Sequence, residues 1–281
     1  MVLEVLEFGF LQRALIAGVS VAITSSVIGL FLVLRRNSLF GDALSHAAFG
    51  GIAIGLATNI YPLWTGLTLS ILGALGITKL RQSAKIPADA TVAILLSSGL
   101  ALGILLISLS GGFTLDLFSF LFGNIMLVSI EDTLMILAMT GIILSIIILL
   151  YRQLMYITFD EEQARVSGLP ISKLNYLFVI LASVAVIVSM RLVGILLVSS
   201  LLVIPNVTAL LFNKGFKKTA LISVSVSIFS VVAGIAISYA ANLAPAGTIV
   251  LVSTAAFLIV LAAMHHSKNT QIVKKFEEVR S

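Results

Sequence analysis

Residues 14–50 read ALIAGVSVAITSSVIGLFLVLRRNSLFGDALSHAAFG. The first 21 carry no charge; two arginines follow, and a second apolar run then opens with an aspartate and a histidine inside it. A helix needs about 20 apolar residues to cross roughly 30 Å of hydrocarbon, and residues 14–34 reach that length. Lys and Arg gather in short loops on the cytoplasmic side of membrane proteins, so Arg35-Arg36 reads as the inner boundary of a span. This one stretch predicts a membrane-embedded helical fold.

The rest of the chain repeats the pattern. Of 281 residues, 59% are hydrophobic and 10% are charged, and the mean hydropathy is +1.18. Soluble domains run at about 45–50% apolar and about 25% charged. The short alternating segments of a membrane β-barrel are absent. Nine candidate spans fall at about 12–34, 40–58, 62–79, 88–110, 131–150, 173–190, 193–212, 218–240 and 247–264. The expected fold is an all-α polytopic membrane protein with eight to nine transmembrane helices. One set of linkers carries Arg35 and Arg36; Lys79, Arg81 and Lys85; Arg152, Arg165 and Lys173; Lys214, Lys217 and Lys218; the tail adds Lys268, Lys274, Lys275 and Arg280. The alternate set carries Asp116, Glu131, Asp132, Arg191 and Asn242. That asymmetry predicts the N-terminus outside and the C-terminus cytoplasmic. Merging the 173–212 region or demoting one span would reverse the parity.

The net charge of +5 comes from basic residues scattered through the linkers, which fits the membrane and not nucleic acid. With no cysteine, disulfides and thiolate metal sites are excluded. The start, MVLEVLEFGFLQRA, places Glu4 and Glu7 before any basic residue. It lacks a signal peptide's positive start, so the first span is expected to be retained. Residues 111–130, GGFTLDLFSFLFGNIMLVSI, are too apolar for an ordinary loop. A short re-entrant or outer-surface helix near 113–128 is expected there, since backbone at membrane depth must be buried in protein or line a cavity. Pro205 stands inside an apolar run and predicts a kink or break. Gly50, Gly51 and Gly55, with Gly99 and Gly103, suit close helix approach.

Asp42 and His46 are four apart, a spacing that stacks both side chains on one helix face. A helix unbroken from Arg36 would place His46 roughly 15 Å above the boundary, at 1.5 Å per residue. Ionisable groups at such depth are costly and usually face an interior cavity with a partner. Carboxylate and imidazole both ligate first-row divalent metals, and Ser45, Gly41 and Gly50 keep the surroundings small. The competing reading makes Asp42 a helix cap and His46 a hydrogen-bonded helix contact. Two ligands do not close a metal site; a homodimer with the pair on its axis would supply four.

Five segments carry a family resemblance. LRRNSLFGDALSHAAFGGIAIG (34–55) resembles the second-helix signature of the permease subunits of bacterial zinc and manganese ABC importers. PADATVAILLSSGLALGILLIS (87–108), DLFSFLFGNIMLVS (116–129), VGILLVSSLLVIPNVTALL (193–211) and APAGTIVLV (244–252) resemble further family segments, in the family's order. Three positions depart from the pattern. Asn206-Val207 replaces small residues after the proline, Arg191 stands where a neutral or amide residue is usual, and Gly50-Gly51 replaces proline-glycine.

The resemblance implies a type II ABC importer permease, similar to the vitamin B12 importer, formed by 1–281 as a single transmembrane domain. It implies a homodimer with the pathway between two copies, two cytoplasmic ABC ATPases, and an extracellular or periplasmic metal-binding protein. It places the protein in a bacterial plasma membrane and names Mn2+ or Zn2+ as cargo, with Fe2+ a third candidate. No cofactor is expected to be bound covalently. No G-x-x-x-x-G-K-[ST] occurs in the chain, so ATP is expected on the partner only and the permease is expected not to be an enzyme. Residues 159–170 form the expected cytoplasmic coupling segment. Glu162, Ala164 and Gly168 fit E-x-A-x-x-x-G, a coupling-helix pattern of ABC importers. Acids at 160–162 favour a helix start, and Gly168-Leu169-Pro170 favours its end. An ordinary solvated loop is the alternative.

Asp42 and His46 are thus the candidate metal ligands. Ser45, Asp89, Asn124, Pro205, Asn206 and Thr208 are candidates for the pathway or gate. Asp89 is most simply an N-cap, and Asn124, Asn206 and Thr208 suit helix contacts at least as well. Arg35 and Arg36 read as interfacial anchors. Asp116, Glu131 and Asp132 could receive the binding protein. His265 and His266, which begin the expected tail (265–281), read as incidental. Three rival functions remain: a secondary cation transporter using Asp42 as a relay, an intramembrane enzyme with His46 as base, and a B12- or siderophore-class permease.

Overall fold

Leu34 ends the first helix because the chain turns left-handed two residues later, at Arg36 (φ 56°). In the computed structural model, residues 9–84, 86–109, 120–123, 129–195 and 198–280 are described. In order they form α1 (Gly9–Leu34), α2 (Phe40–Thr58), α3 (Pro62–Ala84), α4 (Ala88–Leu109), α5 (Ile130–Leu149), α6 (Tyr151–Phe159), α7 (Glu161–Val166), α8 (Ile171–Val193), α9 (Val198–Leu211), α10 (Phe216–Ala241) and α11 (Pro245–Arg280). Among the described residues eight helices are long and apolar enough to cross a membrane, and no strand occurs. The chain is an all-helical multi-pass membrane protein. Most of the expected re-entrant segment near 113–128, with Asp116 and Asn124, lies outside the described residues.

The helix ends follow local chemistry. Asn59, Asn213 and Asn242 all take positive φ and close α2, α9 and α10, since Asn tolerates the left-handed conformation. Ser129 and Asp132 form a reciprocal capping box at α5, satisfying two otherwise orphaned N–H groups. Asp132 is therefore engaged in its own helix start.

The expected ninth span, 193–212, resolves into something shorter. Gly194 turns at φ 77° and breaks the chain between α8 and α9. A side chain there would collide with the backbone of residues 121–123. The break comes at Gly194 and not at Pro205, around which α9 is continuous for 14 residues. Asn206 Nδ2 donates back to the Leu202 carbonyl at 2.7 Å, one residue beyond the missing proline N–H.

Burial separates the helices into an inner and an outer set. In α1 and α2, 72% of the apolar stretch is buried, against 17% in α11. Helices α1, α2, α8 and α9 form the centre; α3, α4, α5, α10 and α11 present apolar outer faces, as a lipid-facing shell requires. Hydroxyl pairs stitch the centre together: Ser25 with Ser189 (2.9 Å), Thr24 with Thr140 (3.0 Å) and Ser26 with Ser223 (2.7 Å).

The basic linkers meet at one end of the bundle. Arg35 donates to Thr158 and Asn175, and Phe216, just after Lys214, packs on Phe31, Tyr151 and Phe159. Arg35 is therefore no interfacial anchor; its guanidinium stacks 4.5 Å over the Phe178 ring, inside the protein. Arg36 remains exposed.

Candidate metal site

Helix α2 places the candidate pair on one of the two most buried apolar helices of the bundle. It presses against α4 so closely that a Cβ on Gly99 would sit 2.6 Å from the His46 carbonyl oxygen. Because α2 begins at Phe40, His46 stands six residues above the helix start, about 9 Å at 1.5 Å per residue. The helix that the sequence suggested, unbroken from Arg36, is interrupted there by a left-handed turn.

Asp42 and His46 do share a face. His46 Nε2 lies 3.8 Å from Asp42 Oδ1, with the side chains 14% and 28% exposed respectively. Asp42 lies in the first turn of α2 but makes no side-chain cap. Its Oδ1 instead accepts a hydrogen bond from Ser199 Oγ at 2.9 Å. His46 Nδ1 is buried with no hydrogen-bond partner. The pair thus sets an imidazole nitrogen without a partner beside a carboxylate, and both group types are good ligands for manganese, iron or zinc. Among the described residues no group of three or more His, Asp or Glu comes together, so what they hold is a pair and not a closed shell.

Ser199, in the first turn of α9, is the residue that sequence reasoning missed. It lies 157 positions from Asp42, and nothing local marks it among the many serines of the spans. Only the fold brings it to α2.

The remaining candidates fall elsewhere. Ser45 is buried and donates to its own helix at the Gly41 carbonyl (2.9 Å). Asp89 is exposed in the first turn of α4, beyond the cap position. Asn206 is fully buried and accepts from Ser223 Oγ at 2.6 Å, which in turn meets Ser26. Thr208, also buried, donates to the Ile204 carbonyl, and Pro205 is buried within α9. Of these, Asn206 alone joins helices, linking α9 to α10 and α1 through Ser223 and Ser26, and none of them bonds Asp42 or His46.

The 159–170 segment takes the expected shape. Asp160 Oδ1 accepts from Gln163 N at 2.9 Å and caps α7; Gly168 ends the turn at φ 78°. Ala164 is fully buried in a small cluster with Ile157, Ile171 and Leu174. Glu162 and Val166 point outward, Val166 being 89% exposed. The result is a short knob anchored by one alanine.

Comparison with known proteins agrees with this architecture. The model of the ABC 3 transport family matches residues 7–264. The manganese transport system membrane protein MntC of Listeria innocua is 35% identical over 98% of this chain and 97% of its own length. The manganese import system permease protein ScaB of Streptococcus gordonii is 34% identical over 90% of this chain and 91% of its own. Among solved structures, PsaBC from Streptococcus pneumoniae in complex with Fab superposes with a TM-score of 0.83 at 33% identity, over 92% of this chain and 95% of that one. A metal-chelate type ABC transporter in an inward-facing conformation shares the fold, with a TM-score of 0.70 at 16% identity over 90% of this chain and 86% of that one.

Proposed function

The chain belongs to the ABC 3 transport family, and from that premise we propose that it is the membrane permease of an ATP-driven importer of manganese. All of 1–281 acts as one transmembrane domain, and two copies enclose the pathway. The observation that carries this reading is the Asp42–His46 pair, partly open on an otherwise buried helix. Manganese is favoured over zinc because relatives matched over nine tenths of the chain are named for manganese transport. Each copy contributes one carboxylate and one imidazole; two copies with water complete the four to six positions a divalent ion takes.

The chain contains no nucleotide-binding loop, so ATP hydrolysis belongs to cytoplasmic ATPase partners that dock on α7 through Glu162 and its neighbours. A binding protein delivers the ion on the opposite side. Without the ATPase no ligand distinguishes inward-facing from outward-facing states, and transport has no driving force. The setting is a bacterial plasma membrane with the basic linkers inside.

The test is metal-resolved uptake in vesicles reconstituted with the ATPase and binding protein, comparing manganese, zinc and iron. Manganese uptake is expected, and Asp42→Ala and His46→Ala are each expected to abolish it while the permease still co-purifies with its ATPase. Wild-type uptake by either variant sinks the site; preference for zinc overturns the cargo.

A further inference from the structure

Arg35 leads away from the metal pair to the other polar interior of the bundle. It lines a cavity of about 420 Å³ where the α1–α2 linker meets the ends of α3 and α6 and the starts of α4, α7 and α8. The guanidinium is held from three sides. Nε donates to Thr158 Oγ1 at 3.0 Å, Nη1 donates to Asn175 Oδ1 at 3.0 Å, and the plane lies over Phe178. Its Nη2 is buried and has no acceptor.

Among the described residues no carboxylate closes an ion pair with Arg35, and Glu161, on the cavity wall, pairs with Arg165 at 3.6 Å. Burial lowers the Arg35 pKa to about 10, with Glu161 opposing, so the group stays charged at neutral pH. Arg81 lines the same cavity from α3. Two guanidinium groups and one carboxylate leave a net positive space, to which Asn37 adds an amide. A buried cation with an unmade hydrogen bond is costly, and arginine forks match phosphate oxygens.

We propose that the cavity between Arg35 and Arg81 is a binding site for a phosphate oxyanion at the end of the bundle where the basic linkers meet. The anion accepts from Arg35 Nη2 and from Arg81 and neutralises the excess charge. A phospholipid headgroup and free inorganic phosphate share this chemistry. The inference does not depend on which ion the chain transports.

The experiment has two arms, both on the full chain. In detergent, thermal unfolding is followed against inorganic phosphate, with chloride at matched ionic strength as reference. In nanodiscs of phosphatidylglycerol or phosphatidylcholine, native mass spectrometry counts retained lipid. Saturable stabilisation in the first arm identifies free phosphate; selective retention of phosphatidylglycerol in the second identifies a lipid headgroup. In the responding arm Arg81→Gln is expected to weaken binding about tenfold or more, the scale of one charged hydrogen bond. Glu161→Gln is expected to tighten it by removing the competing carboxylate, and Arg36→Gln, exposed, is expected to leave it unchanged. Arg35→Lys, which keeps the charge but loses the fork, separates loss of the site from loss of the fold. Response in neither arm, or equal effects of Arg81→Gln and Arg36→Gln, overturns the site and leaves a water-filled cavity.

Discussion

At the scale of single residues, Asp42 depends on a hydroxyl as much as on its neighbour His46. The Ser199 bond fixes Oδ1 at 2.9 Å, which would orient the carboxylate toward the proposed ion. Groups that orient a metal ligand typically change affinity 10–100-fold when removed. Ser199→Ala is therefore expected to raise the manganese concentration for half-maximal uptake by about 10–100-fold, with maximal uptake largely kept. Ser199→Thr, which retains the hydroxyl, is expected to restore it. Measuring uptake against manganese concentration in vesicles checks both; unchanged concentration dependence in Ser199→Ala excludes the orienting role. The Asp42–His46 pair was legible in the sequence because four-residue spacing on a helix fixes a shared face. Ser199 was not, because tertiary packing alone brings α9 to α2. Arg35 was misread for a related reason: two arginines after an apolar run look the same whether they flank lipid or turn into a cavity.

Elements carry the second part of the logic, since α2 can be central only if its neighbours come close. At the level of His46 the approach of α4 leaves no room for a Cβ on Gly99, which would lie 2.6 Å from a backbone oxygen and 2.7 Å from Ala47 Cα. Backbone cannot step aside as a flexible side chain can, so overpacking there is expected to cost about 1–3 kcal/mol. Gly99→Val should lower the thermal midpoint of the detergent-purified chain and impair uptake. Gly141→Val, on α5 with no atom within 4 Å, should leave the midpoint near wild type. Equal midpoints would show that the α2–α4 contact tolerates separation. In α7 the same reasoning falls on Ala164, fully buried against Ile157, Ile171 and Leu174. Ala164→Leu is expected to dislodge α7 and lower ATPase co-purification while the unfolding midpoint of the membrane core holds. The start of α7 was readable from its acids at 160–162, whereas the Ser129–Asp132 box of α5 was not, since an outer carboxylate looks the same whether it caps a helix or faces a partner. The break at Gly194 was not, because glycine inside an apolar run more often signals close packing than a turn.

For the whole molecule, the short helix α9 decides the parity. Its 14 residues rise about 21 Å, less than the roughly 30 Å a spanning helix covers. By length alone α9 could be taken for a hairpin arm that returns to its starting side. Packing argues otherwise. Gly194, before α9, lies against residues 121–123, whereas Phe216, after it, packs on Phe31 beside the Arg35 linker. Gly194 and Phe216 thus pack against different parts of the bundle, while Ser199, in the first turn of α9, meets Asp42 in the first turn of α2; we propose that the chain crosses the bundle between Gly194 and Phe216. On that reading the number of passes is odd, and the start of α1 and the end of α11 are proposed to lie on opposite sides of the membrane. The absence of cysteine makes this directly measurable, because any introduced cysteine is the sole thiol in the chain. With the basic linkers cytoplasmic, Asn59→Cys and Asn242→Cys should react with a membrane-impermeant maleimide added to intact cells. Asn213→Cys should react only after the membrane is permeabilised. Labelling of Asn213→Cys in intact cells together with Asn59→Cys would mean that 194–211 turns back. In that case Ser199 would approach Asp42 from a re-entrant loop, and the α9 contribution to the metal site would have to be redrawn.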